Sequence, residues 1–458
     1  MNDLLDRYFD SLRNRRVAVL GIGVSNRPLI RMLLAHGIRP LACDKTPREQ
    51  LDEEVLAFER QGAVLSVGEG YLEDIQADVI FRSPGMRPDI PILCKLIEQG
   101  AVLTSEMEAF FALCPCKILA VTGSDGKTTT TTLIAQMLRE AGKTVWLGGN
   151  IGTPLLPMVE QMKPEDFAVV ELSSFQLLTM QRSADVAVVT NLAPNHLDIH
   201  RDMAEYVAAK KNVFLHQSRD GILVLNHDNA ITDSFSALAN GSVLKFSRAE
   251  KPDLGCYFDG KSIFFGNRRI VDAENILLPG LHNIENYMAA ICAVQGIVPD
   301  EAIRKVAGSF TGVEHRIELV RTLHGVRYYN DSIASSPSRT IAGLHAFSQK
   351  VILIAGGYDK KIPFDVLGPE ICSHVRVLVL CGATAGKIRA AVEQAAGDQT
   401  GRPEIVEVSS LAEAVDACRM RASEGDVVTL SPACAAFDQF KNFMVRGEAY
   451  KKLVMELK

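Results

Sequence analysis

Short apolar runs that end in glycine and pass directly into helical spacing recur along this chain, and they restrict its fold more than any other feature. The clearest is KILAVTGSDGKTTTTTLIAQMLREAG (residues 117–142), where a strand-like run meets a glycine turn and then apolar residues at helical intervals, stopped by Gly142. RRVAVLG (15–21) is followed in the same way by RPLIRMLLAHG (27–37), and PLACD (40–44) and ADVIFRSPG (77–85) are further short strands. FAVVELSS (167–174) and DVAVVTN (185–191) continue the series, HNIENYMAAICAV (282–294) reads as helix, and GVRYYND, KVILIAGG, VRVLVLCG and DVVTLSP carry the pattern to the end. Strands without internal polar alternation, separated by helices, predict an α/β fold of doubly wound, mostly parallel sheets. Changes of texture near residues 105 and 312 divide the chain into domains 1–105, 106–311 and 312–458. Between Gly221 and Pro279 the runs shorten, and CYFDGKSIFFGNRRIV reads as a hairpin, so the middle domain carries a small β element.

Composition narrows the function classes. Across 458 residues, 49 basic side chains stand against 55 acidic ones with no long basic run, which argues against a nucleic-acid partner. The 10 cysteines are scattered without a C-x-x-C pair, and Cys43 and Cys381 sit at apolar strands, so reduced core thiols are expected. The charged N-terminus MNDLLDRYFDSLRNRR lacks the apolar core of a signal peptide, and no stretch approaches a membrane span of about 18 apolar residues. The expectation is a soluble cytoplasmic protein.

Ligands in open α/β sheets gather at the carboxyl ends of strands, so the residues that follow strands carry the functional signal. Gly123, Ser124, Asp125 and Gly126 follow a strand and precede a helix, as a phosphate loop requires, although the loop is two residues shorter than the common G-x-x-x-x-G-K-[ST] form. Lys127 would reach the outer phosphates and the Thr128 hydroxyl would ligate Mg²⁺, with Thr129 in the same turn; the plainer alternative is a glycine turn capping a threonine-rich helix. CGATAGKI (381–388) has a similar outline, but Ile388 stands where a hydroxyl should be, which marks it as a decoy. Glu171 ends a strand beside the loop and suits a Mg²⁺ ligand. In LAPNHLDIH, alternate spacing suggests a metal site, but ligands so placed on a strand point to opposite faces; His196 is preferred, with Asp198 and His200 taken as solvated loop residues. Lys210, within a helical stretch, reads from spacing alone as a solvated face. Gly21 and Gly23, with Asp44 about twenty residues later, form an incomplete dinucleotide fingerprint whose third glycine position holds Asn26. Ser431, opening SPACAAFDQF, suits either a carboxylate or a simple helix cap.

Taken together, VTGSDGKTTTTT, ELSSFQL (171–177), NHLD (195–198), AAK (208–210), HNIEN (282–286), EHR (314–316), YND (329–331) and SPACAAFDQF (431–440) resemble, in this order and over essentially the whole chain, the Mur ligases. ELSSFQL and SPACAAFDQF are similar to the branch that adds D-glutamate; sister ligases and folylpolyglutamate synthases share the loop but differ at those two places. The resemblance implies an N-terminal Rossmann-like domain for a UDP-sugar substrate, a central P-loop ATPase and a C-terminal Rossmann-like domain. It implies ATP and Mg²⁺, with UDP-MurNAc-L-alanine and D-glutamate as partners, an acyl-phosphate intermediate, peptidoglycan precursor synthesis, and a monomer. It further implies catalytic roles for Lys127, His196 and Lys210, one Mg²⁺ on Thr128 and Glu171, and a second on His196 and a CO₂-carbamylated Lys210. Asn286, Arg316 and Asp331 then face ATP, with His315 adjoining. Gly23, Val24, Ser25, Asp44, Ser83 and Asn150 face the UDP-sugar, and Ser335, Lys360, Ser431 and Phe437 the D-glutamate.

One position departs. After YND the family pattern is S-K-A-T, and this chain has Ser332, Ile333, Ala334 and Ser335, so one positive charge is missing unless another basic residue, such as Lys361, supplies it. Two other readings stay open on sequence alone: a related ligase for a different amino acid, and a nucleotide-binding switch that hydrolyses ATP slowly.

Overall fold

The computed structural model describes residues 2–196, 199–278, 280–360, 362–397 and 402–458. The chain forms two compact units, Met1–Asn275 with His282–Gly308, and Ile276–Leu281 with Ser309–Lys458. The fold is α/β, with three mostly parallel sheets. No helix among the described residues is long and apolar enough to cross a membrane.

The first unit holds two sheets. One is fully parallel and runs Val64–Val67, Leu41–Asp44, Val17–Leu20, Val79–Arg82, Val102–Thr104 across its width. Because the chain starts in the middle and winds outward both ways, a crevice opens beyond the ends of Val17–Leu20 and Val79–Arg82. The other has nine strands, with Lys117–Thr122 between Val186–Val189 and Phe167–Glu171. These strands are apolar on both faces because helices cover both, so they read as continuous runs in the sequence. The expected hairpin is one step richer. Gly255–Phe258 joins Ser242–Ser247 in parallel, then pairs antiparallel with Ser262–Phe265, which pairs in turn with Arg268–Asp272. Asp259 accepts the Lys261 and Ser262 N–H groups in the first of these turns.

A single apolar cluster runs from Val17, Leu29 and Phe81 through Phe110 to Ile118, Ala168 and Tyr206, so the two sheets share one core. Helix Lys127–Glu140 starts three residues before the apolar spacing places it. Thr131 and Thr132 donate their hydroxyls back to the carbonyls of Lys127 and Thr128, at 2.8 Å each, so both hydroxyls are satisfied within the helix.

The second unit holds a six-stranded sheet in the order Glu318–Leu323, Val326–Asn330, Val427–Leu430, Val351–Ala355, Val375–Leu380, Glu404–Glu407, with only the first pair antiparallel. Residues 329–335 and 431–440 therefore emerge from neighbouring parallel strands. In CGATAGKI, Ile388 is fully buried and Lys387 pairs with Asp359 at 2.6 Å.

Candidate active site

The loop after Lys117–Thr122 is shaped by two left-handed glycines. Gly123 has φ 149° and Gly126 has φ 78°. A Cβ on Gly123 would lie 1.9 Å from the Thr190 Oγ1, and one on Gly126 would lie 2.3 Å from the Asn286 Oδ1. Replacing Gly126 with alanine is therefore expected to weaken nucleotide binding at least tenfold, with a lowered melting temperature, by calorimetric titration and thermal unfolding.

The loop divides its work. Ser124 and Asp125 donate their N–H groups to the Asn191 O and Oδ1, both at 2.9 Å, and the Ser124 hydroxyl meets Tyr206 OH and Ala193 O. These residues buttress the turn, and the helix opening at Lys127 presents the N–H groups that have no carbonyl behind them. Lys127 curls back, its Nζ donating to Gly123 O at 3.0 Å and Ser124 O at 2.8 Å. Asn286 is buried beside the helix, accepting from Thr130 at 3.2 Å and donating to Asn283 at 3.0 Å.

Two charged side chains are buried at this loop. Glu171 ends its strand 2% exposed, and Asn150 donates to its Oε1 at 2.8 Å, so Asn150 is committed to the carboxylate. The Glu171 Oε2 is buried with no hydrogen-bond partner among the described residues. Lys210, on helix Met203–Lys211, is 1% exposed and donates to Thr122 Oγ1 and Gly123 O, both at 2.9 Å. The solvated face that its spacing suggests is corrected here, because the helix turns Lys210 under the phosphate loop. Burial, and then the neighbouring Lys127, hold its amine well below the ordinary lysine pKa, against the pull of Glu171. An orphan carboxylate oxygen beside a buried lysine whose pKa is lowered fits a divalent cation held by Glu171 and Thr128, and an amine suited to carbamylation. Thr128 is nearly buried in the first helical turn.

His196 lies in an irregular loop with φ 56°, exposed, its ring edge-on to Phe175 at 5.2 Å. The described residues on either side, 192–196 and 199–202, form no strand, so the argument from opposite faces does not apply to them. His200 is not solvated either. It is 2% exposed, contacts the Ser174 Oγ at 2.8 Å and Glu205 at 3.2 Å, and stacks on Phe175, because the loop folds back over ELSSFQL. Asp198 lies outside the described residues.

At the N-terminal crevice, Gly21 has φ 88°, and a Cβ there would meet the Ser83 Cβ at 2.8 Å, so the two strand ends close on each other. Asp44 accepts from Ile22 N at 2.7 Å and from Thr46. Partial burial raises the Asp44 carboxyl, but the bonds from Thr46 and Ile22 outweigh it and hold it below the ordinary range. Asn26, where the fingerprint lacks a glycine, is buried and donates to Gly21 O at 2.8 Å, so it braces the turn. The Gly23 carbonyl accepts from Asn26 and Arg27, Val24 projects outward 78% exposed, and Ser25 precedes helix Asn26–Ala35.

In the second unit Asp331 is buried. Its Oδ2 accepts from Ser431 Oγ at 2.7 Å, and Ser431 also meets Thr340 Oγ1 at 3.1 Å. Burial raises the Asp331 carboxyl to about 7, although Ser431 and the charge of Arg316 oppose the rise. Ser431 thus faces Asp331 and Thr340. His315, with φ 63°, is buried against Asn330 at 2.9 Å. Lys360 Nζ reaches Ser335 O and Oγ at 3.4 and 3.5 Å, and exposed Phe437 packs edge-on to Tyr358. Lys361 lies outside the described residues.

Two contributors carry no sequence signal of their own. Thr340 ties Ser431 to the Ala433 N–H. Buried Arg446 donates to both Ser332 O and Oγ, Cys434 O and Ala435 O, clamping the turn after YND to SPACA, and burial pushes it down to about 10. Only a motif spanning both segments reveals such a brace.

Comparison with known proteins places these segments. The family model described as the Mur ligase middle domain matches residues 121–294, and that of the Mur ligase, glutamate ligase domain matches 315–434. UDP-N-acetylmuramoylalanine–D-glutamate ligase of Acetivibrio thermocellus is 52% identical over 465 residues, covering 99% of each chain. The ligase of the same name from Clostridium novyi is 50% identical over 458 residues, covering 100% of each. In fold, the chain resembles UDP-N-acetylmuramate-alanine ligase from Thermotoga maritima with TM-score 0.58 and 16% identity, over 97% of this chain and 100% of that one.

Proposed function

The chain belongs to the Mur ligase family, and from that membership we propose that it is an ATP-dependent ligase joining D-glutamate to UDP-N-acetylmuramoyl-L-alanine. The observation that carries this is identity at about half of all positions, end to end, with ligases that bear this name. The setting is peptidoglycan precursor synthesis in the cytoplasm by a monomer of three domains, 1–105, 106–311 and 312–458, for the UDP-sugar, ATP and the amino acid.

The chemistry follows from a simple obstacle: a carboxylate does not acylate an amine. An alanyl carboxylate oxygen attacks the γ-phosphorus of ATP, the bond to ADP breaks, and an acyl phosphate forms. The D-glutamate amine then adds to the acyl carbon, loses a proton, and the tetrahedral adduct expels phosphate to leave the amide. Negative charge gathers throughout, and the parts that answer it are the helix N-terminus at 126–129, Lys127, and Arg316. Thr128 and Glu171 would hold one Mg²⁺, and His196 with carbamylated Lys210 a second, supplying further positive charge at the phosphates. Carbamylation needs the neutral Lys210 amine to add to the carbon of CO₂ with loss of a proton, and the buried position supports that state. Asn286 and Asp331 serve the nucleotide. Gly23, Val24, Ser25, Asp44 and Ser83 serve the UDP-sugar. Ser335, Lys360, Ser431 and Phe437 serve the amino acid.

A phosphate-release assay across a panel of amino acids tests the reading. Release is expected only when UDP-N-acetylmuramoyl-L-alanine and D-glutamate are both present. Release with L-lysine or meso-diaminopimelate but not D-glutamate, or release without any acceptor, overturns it.

A further inference from the structure

The turn from Asn330 to Ser336 lacks the lysine expected at position 333, and the geometry shows what stands in its place. Arg339 lies in the first turn of helix Pro337–Leu344, and its Nη1 reaches back across the turn to donate to the Ile333 carbonyl at 3.3 Å. Arg339 as a residue is exposed while its guanidinium is partly desolvated, and among the described residues this is its one hydrogen bond and no carboxylate pairs with it. Its placement is electrostatically unfavourable on two counts. A positive charge in the first turn opposes the helix dipole, and Arg316, a like charge close enough to act on it, forms no ion pair among the described residues either. Burial and Arg316 push the Arg339 guanidinium down, and only Asp331 pulls the other way. An unpaired arginine kept where the fold penalises it is explained by an anion that arrives from outside.

The same turn carries the cation assigned to the amino acid. Lys360 contacts Ser335, two residues along from Ile333. An amino acid with two carboxylates brings two negative charges, and Lys360 answers one. We infer that Arg339 binds the second carboxylate of the incoming dicarboxylic amino acid, doing from the helix what a lysine at 333 would do from the turn. A guanidinium takes a carboxylate through two parallel N–H bonds, so Arg339 contributes selectivity for a dicarboxylate over its monoamide as well as affinity. The inference rests on the D-glutamate ligase reading.

The test is steady-state kinetics on the full chain, with wild type, Arg339→Ala, Arg339→Gln and the double variant Arg339→Ala/Ile333→Lys, each checked for an unchanged melting temperature. Loss of a charge-assisted pair predicts a KM for D-glutamate raised about ten- to a hundredfold in both single variants. The KM for ATP should stay within about twofold, and the preference for D-glutamate over D-glutamine should fall. Lysine at 333 should restore most of the KM, which a merely structural arginine would not allow. A wild type active with D-glutamate alongside variants of unchanged KM overturns this inference alone. A rise confined to the KM for ATP also overturns it, assigning the guanidinium to phosphate. A wild type silent with D-glutamate overturns the reaction and this inference together.

Discussion

Lys210→Ala is expected to lower turnover by about a thousandfold in a chain that remains folded, and to regain part of it when formate or acetate is added. The first half follows from position. Lys210 is buried under the loop at 123–126, with Lys127 and Glu171 the charges that act on it, and on the proposed reading its carbamate would supply an anionic ligand beyond Glu171. Removing one preorganised charge from a transferring phosphoryl group costs on the order of a hundred- to a thousandfold. The folded state should tolerate the change, because truncation leaves a cavity but also removes an amine whose burial is unfavourable. Linkage gives a second readout. The Lys210 pKa is lowered on folding, so between that value and the ordinary 10.5 the unfolded chain binds more protons, and stability rises with pH over that window. The alanine variant should lose this rise in thermal unfolding at alkaline pH. A short carboxylate fits the space left and restores the negative group. A folded variant that no small carboxylate revives would count against the carbamate.

Asp331→Asn should raise the melting temperature at pH 8 and depress ligase activity about a hundredfold. The Asp331 carboxyl titrates near 7 in the folded chain against 3.8 ordinarily. A group whose acid form is favoured by folding contributes fully at low pH, and that contribution is lost as pH rises from about 4 to about 7. At ~1.4 kcal/mol per pH unit the loss is about 4 kcal/mol. Asparagine keeps the shape and can donate to Ser431, whose hydroxyl turns to Thr340, so it removes the dependence without orphaning a partner. Melting temperatures from pH 4 to 8 check this; parallel curves for the two proteins would mean that Asp331 is ionised throughout. A carboxylate retained at such a cost is retained for its charge, so activity and stability should move in opposite directions.

Much of the fold was legible because both faces of its central strands are buried. A strand such as Val186–Val189 can only be apolar throughout, and the helix after it must then return across the sheet, so runs and breaks in hydropathy translate into order. The glycine turn at 123–126 was legible for a related reason: its glycines are required by local backbone shape. Lys210, His200 and Arg339 were opaque from spacing, because what each one does depends on segments far away in the chain. Helical spacing showed that Lys210 sits on a helix without showing which side meets the loop. His200 is a core histidine only because Phe175 and Ser174 lie over it. Ser431 read equally as a cap or a ligand until Asp331 appeared beside it. Resemblance to the Mur ligases reversed the reading of Lys210, but it was silent on Arg339, where this chain departs from the pattern.

The bond from Thr130 to Asn286 joins positions 156 residues apart. That separation says something about when the nucleotide site comes into being. Contacts between remote positions must wait for the intervening chain to be ordered, so they form late on the way to the native state. Gly126 can settle beside Asn286 only after helix Leu281–Ala293 has docked. During synthesis, then, a nascent chain that has emerged only as far as the central sheet already carries the whole phosphate motif without a finished site. On the proposed reading of the loop, ATP would bind there only once this helix has docked, so added ATP should protect the helix and the loop together against unfolding.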